Sequence, residues 1–144
     1  MTDAAPHFVD TAYIQAVINT RDQWYRGAAR WEAWLAAERQ PLVTTELVLI
    51  EFGDSLATIK ARSLAAGMID VLRGSSLVET VPASAALFDA ALTLYRNRAD
   101  KGWGLTDCSS FVVMQDRGLT AALTADDHFR QAGFRALLLE EPTR

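Results

Sequence analysis

Five short β-like runs of four to six residues are spaced along this chain, and segments with helical spacing lie between them. The runs are "HFVD" (7–10), "PLVTT" (41–45), "SLVETV" (76–81), "TAAL" (120–123) and "RALLLE" (135–140). Short apolar strands that alternate with helices favour an α/β fold, with a mostly parallel sheet and helices on both faces. Helices are predicted at 11–20, 22–38, 46–59, 61–73, 84–98 and 107–118, with a turn or short helix at 125–133. Asp22 and Ser84 have the residue types that cap helix N-termini, and Gly118 suits a helix stop. Pro41 opens its strand, where a missing N–H does least harm.

Half of the 144 residues are apolar, enough for one core, and neither a linker nor an internal repeat divides them. A single domain over 1–144 is expected. One cysteine excludes an internal disulfide and a cysteine-rich zinc site. Apolar runs fall far short of the roughly 18 residues that span a bilayer. The opening "MTDAAPHFVDTAYI" has no basic segment before an apolar core. A cytoplasmic protein with no membrane association is the expectation. The formal net charge is −4, which argues against tight, general nucleic-acid binding. It leaves room for an enzyme that meets phosphates through metal ions.

Four acidic residues do not fit an ordinary solvated helix face. Asp10 ends the first strand. Helical spacing places Glu51 with Leu47, Ile50 and Asp54, on a face expected to point inward. Asp107 stands before the apolar "CSSFVVM", and Asp126 follows the fourth strand. Ligands in open α/β sheets gather beyond the carboxyl ends of the strands. Asp10, Asp107, Asp126 and, less directly, Glu51 are therefore expected on one rim. Carboxylates packed together repel, and a hard divalent cation such as Mg²⁺ or Mn²⁺ relieves that repulsion. The ordinary alternatives are helix capping for the three aspartates and an Arg or Lys partner for Glu51.

Taken in order, these segments resemble the PIN-domain family and, within it, the VapC-type toxins of bacterial toxin–antitoxin pairs. "FVDTAYIQAVIN" is similar to the family's first strand, acidic residue and helix, with the first carboxylate at Asp10. "VTTELVLIEFGDSL" resembles its second acidic segment, with Glu51 the better match and Glu46 the alternative. "DKGWGLTDCSSFVVMQDRGLTAALTADDHFRQAGF" carries the most specific likeness, with the remaining acids at Asp107 and Asp126. Asp127 is the alternative to Asp126, and the Thr124-x-Asp126 spacing favours the latter. The resemblance implies a three-layer α/β/α sandwich and a Mg²⁺- or Mn²⁺-dependent endoribonuclease. It also implies an RNA substrate, a homodimer and a small antitoxin partner. A catalytically inactive PIN-like domain that binds RNA or protein is the alternative.

Metal-assisted hydrolysis needs no nucleophilic side chain, and Cys108 reads as a core thiol. Thr106 is a predicted N-cap, Lys101 a solvated loop lysine near the rim, and Trp103 a packing residue over it. His128 stands beside two aspartates and is left out of the metal set because Mg²⁺ favours oxygen. Trp24, Tyr25, Trp31 and Trp34 in 22–38 form either a core face or a docking face for a partner.

Overall fold

A computed structural model describes residues 4–143; residues 1–3 and 144 lie outside the described residues, so the start of "MTDAAP" and the final residue of the expected domain are not placed. Among the described residues, five strands form one sheet: β1 (His7–Val9), β2 (Leu42–Thr45), β3 (Val78–Val81), β4 (Ala121–Leu123) and β5 (Arg135–Ala136). Their order is β3-β2-β1-β4-β5 and every pairing is parallel. Among the described residues, seven helices cover the sheet: α1 (Thr11–Ile18), α2 (Tyr25–Glu38), α3 (Glu46–Ser55), α4 (Arg62–Gly74), α5 (Ala85–Asn97), α6 (Leu105–Asp116) and α7 (Asp127–Gln131). The result is the expected three-layer sandwich. No helix among the described residues is long and apolar enough to cross a membrane.

The central strands are apolar on both faces, because helices bury both. Phe8 and Val9 of β1 are fully buried, as are Ala122 and Leu123 of β4. Phe8, Phe111 and Phe129 tie the layers together: the Phe111 and Phe129 rings meet edge to face at 4.9 Å, and Phe8 lies 6.4 Å from Phe129. Strand order reverses direction between β1 and β4, which makes that junction the natural ligand crevice of the sheet.

Several local expectations need correction. Helix α2 begins at Tyr25, and Asp22 instead closes a turn by accepting the Trp24 N–H at 2.8 Å. Its aromatic stretch faces its own chain: Ala28, Trp31 and Leu35 are buried, and the indoles of Trp31 and Trp34 donate to the carbonyls of Glu140 and Thr143. Helix α3 stops at Ser55, whose hydroxyl turns back to the Phe52 carbonyl at 2.6 Å. The last strand is only two residues long: the chain leaves the sheet through a 3₁₀ turn over Leu137–Leu139, with Leu137 and Leu138 buried. The N-cap of α6 is Gly104 rather than Thr106, which lies inside the first turn.

Candidate active site

Asp10 leaves the end of β1 and occupies the N-cap position of α1, yet its side chain makes no capping hydrogen bond. It is 5% exposed. Its Oδ2 accepts from the Thr124 hydroxyl at 2.8 Å, across 114 positions of sequence. Burial pushes its carboxyl up to about 7; the Thr124 bond opposes this, and the charges of Asp107 and Glu51 add to it. Glu51 is brought to the same edge by the hydroxyl of Thr11, the residue that follows Asp10. Among the described residues, no Lys, Arg or His forms an ion pair with it.

Asp107 sits in the first turn of α6, where its Oδ2 accepts the Gly104 N–H at 3.2 Å. That bond is a capping interaction, but it is not the carboxylate's sole contact. His128 Nδ1 lies 3.0 Å from the same oxygen and 3.4 Å from Asp126 Oδ1. Burial raises the Asp107 carboxyl above its ordinary value, His128 and Gly104 oppose this, and Asp126 adds repulsion. Asp126 caps α7 by accepting the His128 N–H at 2.9 Å, and its own N–H donates to Thr124 Oγ1 at 3.0 Å. Thr124 therefore fastens Asp10 and Asp126 together from the end of β4.

Glu51 does not point inward as expected. The buried face of α3 is Val48, Leu49 and Phe52, while Glu51 is exposed and Ile50 is 58% exposed. The carboxylate turns toward the rim and accepts the Thr11 hydroxyl at 2.6 Å. Glu46, the alternative, is occupied elsewhere: it accepts the Ala83 N–H at 2.7 Å ahead of α5. Asp127 lies on the outer side of α7, paired with Arg130 at 3.6 Å and accepting from Gln131.

The carboxylate oxygens gathered here suit a hard cation. Asp107, Asp126 and His128 each offer an atom, and these atoms lie within 4.8 Å of one another. Asp10 stands behind them, buried and repelled by its acidic neighbours. His128, excluded above on oxygen preference, belongs to this geometry. A proton on Nδ1 would be donated to Asp107, which is how histidine and carboxylate commonly brace a metal site. Two hydroxyls were also missed, those of Thr11 and Thr124, although the spacing of Thr124 to Asp126 pointed to the second.

The neighbouring residues take plainer roles. Cys108 is buried, and burial together with the Asp107 charge pushes its thiol up, away from thiolate. Trp103 is buried, donates to Gln131 at 3.0 Å and packs on Phe111, with the Arg98 guanidinium over its ring. Lys101 is partly exposed and reaches Asp100 at 4.0 Å.

Residues 8–135 match the PIN domain family. The 23S rRNA-specific endonuclease VapC20 of Mycobacterium tuberculosis (strain CDC 1551 / Oshkosh) is 28% identical over 127 residues, which cover 88% of this chain and 94% of that protein. The crystal structure of Mycobacterium tuberculosis VapC20, a sarcin-ricin loop cleaving toxin, superimposes with a TM-score of 0.77 at 27% identity, covering 88% and 95% of the two chains. VapBC2 from Rickettsia felis, bound to a DNA fragment from its promoter, has a TM-score of 0.63 at 17% identity over 90% and 96% of the chains, a likeness of fold.

Proposed function

This chain belongs to the PIN domain family, and from that membership and its acidic rim we propose that it is a Mg²⁺- or Mn²⁺-dependent endoribonuclease, the toxin of a type II toxin–antitoxin pair. The observation that carries the reading is Asp10: a carboxyl group 5% exposed, beside other acids, with no cationic side chain paired to it among the described residues. Sites of that kind are costly unless an ion compensates them. The likeness to VapC20 supports an RNA substrate and makes ribosomal RNA the first substrate to try.

Asp10, Glu51, Asp107 and Asp126 would hold the cation. When bound there, a divalent cation supplies a lowered pKa for water and offsets charge on the phosphate oxygens. The protein supplies alignment. Thr124 aims Asp10, Thr11 aims Glu51, and His128 holds Asp107 and Asp126 at one edge of the crevice. No side chain needs to act as nucleophile, and the buried, protonated Cys108 is unsuited to it. As a toxin, the protein would act in the cytoplasm, as a homodimer, and be restrained by a small antitoxin protein.

The test is RNA cleavage with Mg²⁺, with Mn²⁺ and with EDTA, by wild type, Asp10→Asn and Asp107→Asn. Wild type should cut with either ion and stop in EDTA, and each variant should lose about 100-fold or more, the scale of a disrupted metal site. Equal cleavage by all three proteins would reject these roles.

A further inference from the structure

Next to the acidic rim lies a cleft of about 520 Å³ that shares only Asp126 with the residues that would hold the cation. It begins at Asp126 and runs between α1 and the turn that leads into α2, lined by Gln15, Asp22, Gln23 and Trp24. None of its lining residues is cationic. Phosphate binding depends on Lys, Arg and other N–H donors, and two carboxylates in the wall disfavour it. The wall instead offers an aromatic surface, two amides and carboxylate oxygens. That is the chemistry which recognises an unstacked base: aromatic stacking on its face and hydrogen bonds to its edge.

The cleft is also firmly built. Trp24 is half-buried and packs against the core. Its N–H is held by Asp22 Oδ1 at 2.8 Å, and the Tyr25 N–H by the Asp22 carbonyl at 3.0 Å. One carboxylate oxygen is thus committed to the turn. Gln15 projects from α1, the helix that Asp10 opens, so cleft and rim share one support.

We propose that this cleft receives an unpaired nucleobase beside the cleaved phosphodiester, with Trp24 stacking on it and Asp22 and the Gln amides reading an exocyclic amino group. This rests on the ribonuclease reading above. Adenine, cytosine and guanine each present an amino donor that a carboxylate accepts. Uracil has no amino group; its single ring N–H is flanked by two carbonyl oxygens, which meet the Asp22 carboxylate as acceptor against acceptor wherever an amino group would have donated. Asp22 and Trp24 are then specificity-determining residues, outside the set that holds the cation.

The experiment starts from ribosomal RNA cut by wild type in Mn²⁺. The cut is mapped, a synthetic RNA spanning it is made, and each base flanking the scissile bond is changed in turn to A, C, G or U. Wild type should show, at one flanking position, cleavage of amino-bearing bases about tenfold or more faster than uracil, a factor within the reach of one stacked and hydrogen-bonded base. Asp22→Asn keeps an acceptor for the Trp24 N–H while removing the charge, and Trp24→Ala removes the stacking surface. Each should reduce that ratio by roughly tenfold. Gln15→Ala, a change on the helix surface, gives a third readout should Trp24→Ala fail to fold. Equal rates on all four bases, or an unchanged ratio in folded Asp22→Asn and Gln15→Ala, would overturn the base-reading cleft and leave the ribonuclease reading standing. No cleavage of ribosomal RNA by wild type in either ion would overturn both.

Discussion

At Asp10 the protein keeps a carboxyl group inside, held by one hydroxyl and facing other acids. Its ordinary value is 3.8 and its folded value about 7. Between those limits the unfolded chain has released the proton and the folded protein has kept it. Without a cation, stability should therefore fall as pH rises from about 4 to about 7, and level off above. The full cost is on the order of 4 kcal/mol. Thermal unfolding in EDTA across that window checks it, and Asp10→Asn should remove most of the slope. Thr124 acts on the same centre from the neighbouring strand. Thr124→Val should preserve the fold and reduce cleavage by roughly 10- to 100-fold, the usual cost of losing a group that orients a metal site; steady-state rates alongside circular dichroism measure both.

Helix α7 shows how an element delivers such residues. It has five residues, too few to be stable alone. Phe129 anchors it, fully buried between Phe8 and Phe111, and Asp126 caps its start. Gly133 ends the segment at φ +95, where a side chain would be strained, and the chain then enters β5. Phe129→Ala should cost about 3–5 kcal/mol in denaturant unfolding and weaken cleavage, because Asp126 and His128 lose their platform. Elements with strong periodicity and a good cap were legible in the sequence. Ser84 caps α5 as expected, accepting the Leu87 N–H at 3.0 Å. What was not legible depended on tertiary packing: the outward turn of Glu51, the Asp22 turn, and the 3₁₀ turn that buries Leu137 and Leu138. The position of His128 between two carboxylates depended on packing as well. Its neighbours in sequence suggested it, but only the approach of α6 to α7 brings Asp107 within 3.0 Å.

Across the whole molecule, the parallel sheet is what turns distant sequence positions into one rim. Every strand runs the same way, so the residues that follow β1 and β4 emerge on the same side of the sheet, at the reversal of strand order. The helix starts of α1, α6 and α7 then place Asp10, Asp107 and Asp126 around it, with Glu51 reaching in from α3. A cation shared by these acids is the central claim, and calorimetric titration of Mn²⁺ into the metal-free protein tests it most directly. Wild type should bind the ion, and a folded Asp10→Asn/Asp107→Asn double variant should bind about 100-fold more weakly or not at all. Absence of binding by wild type, or equal affinity in the double variant, would contradict it.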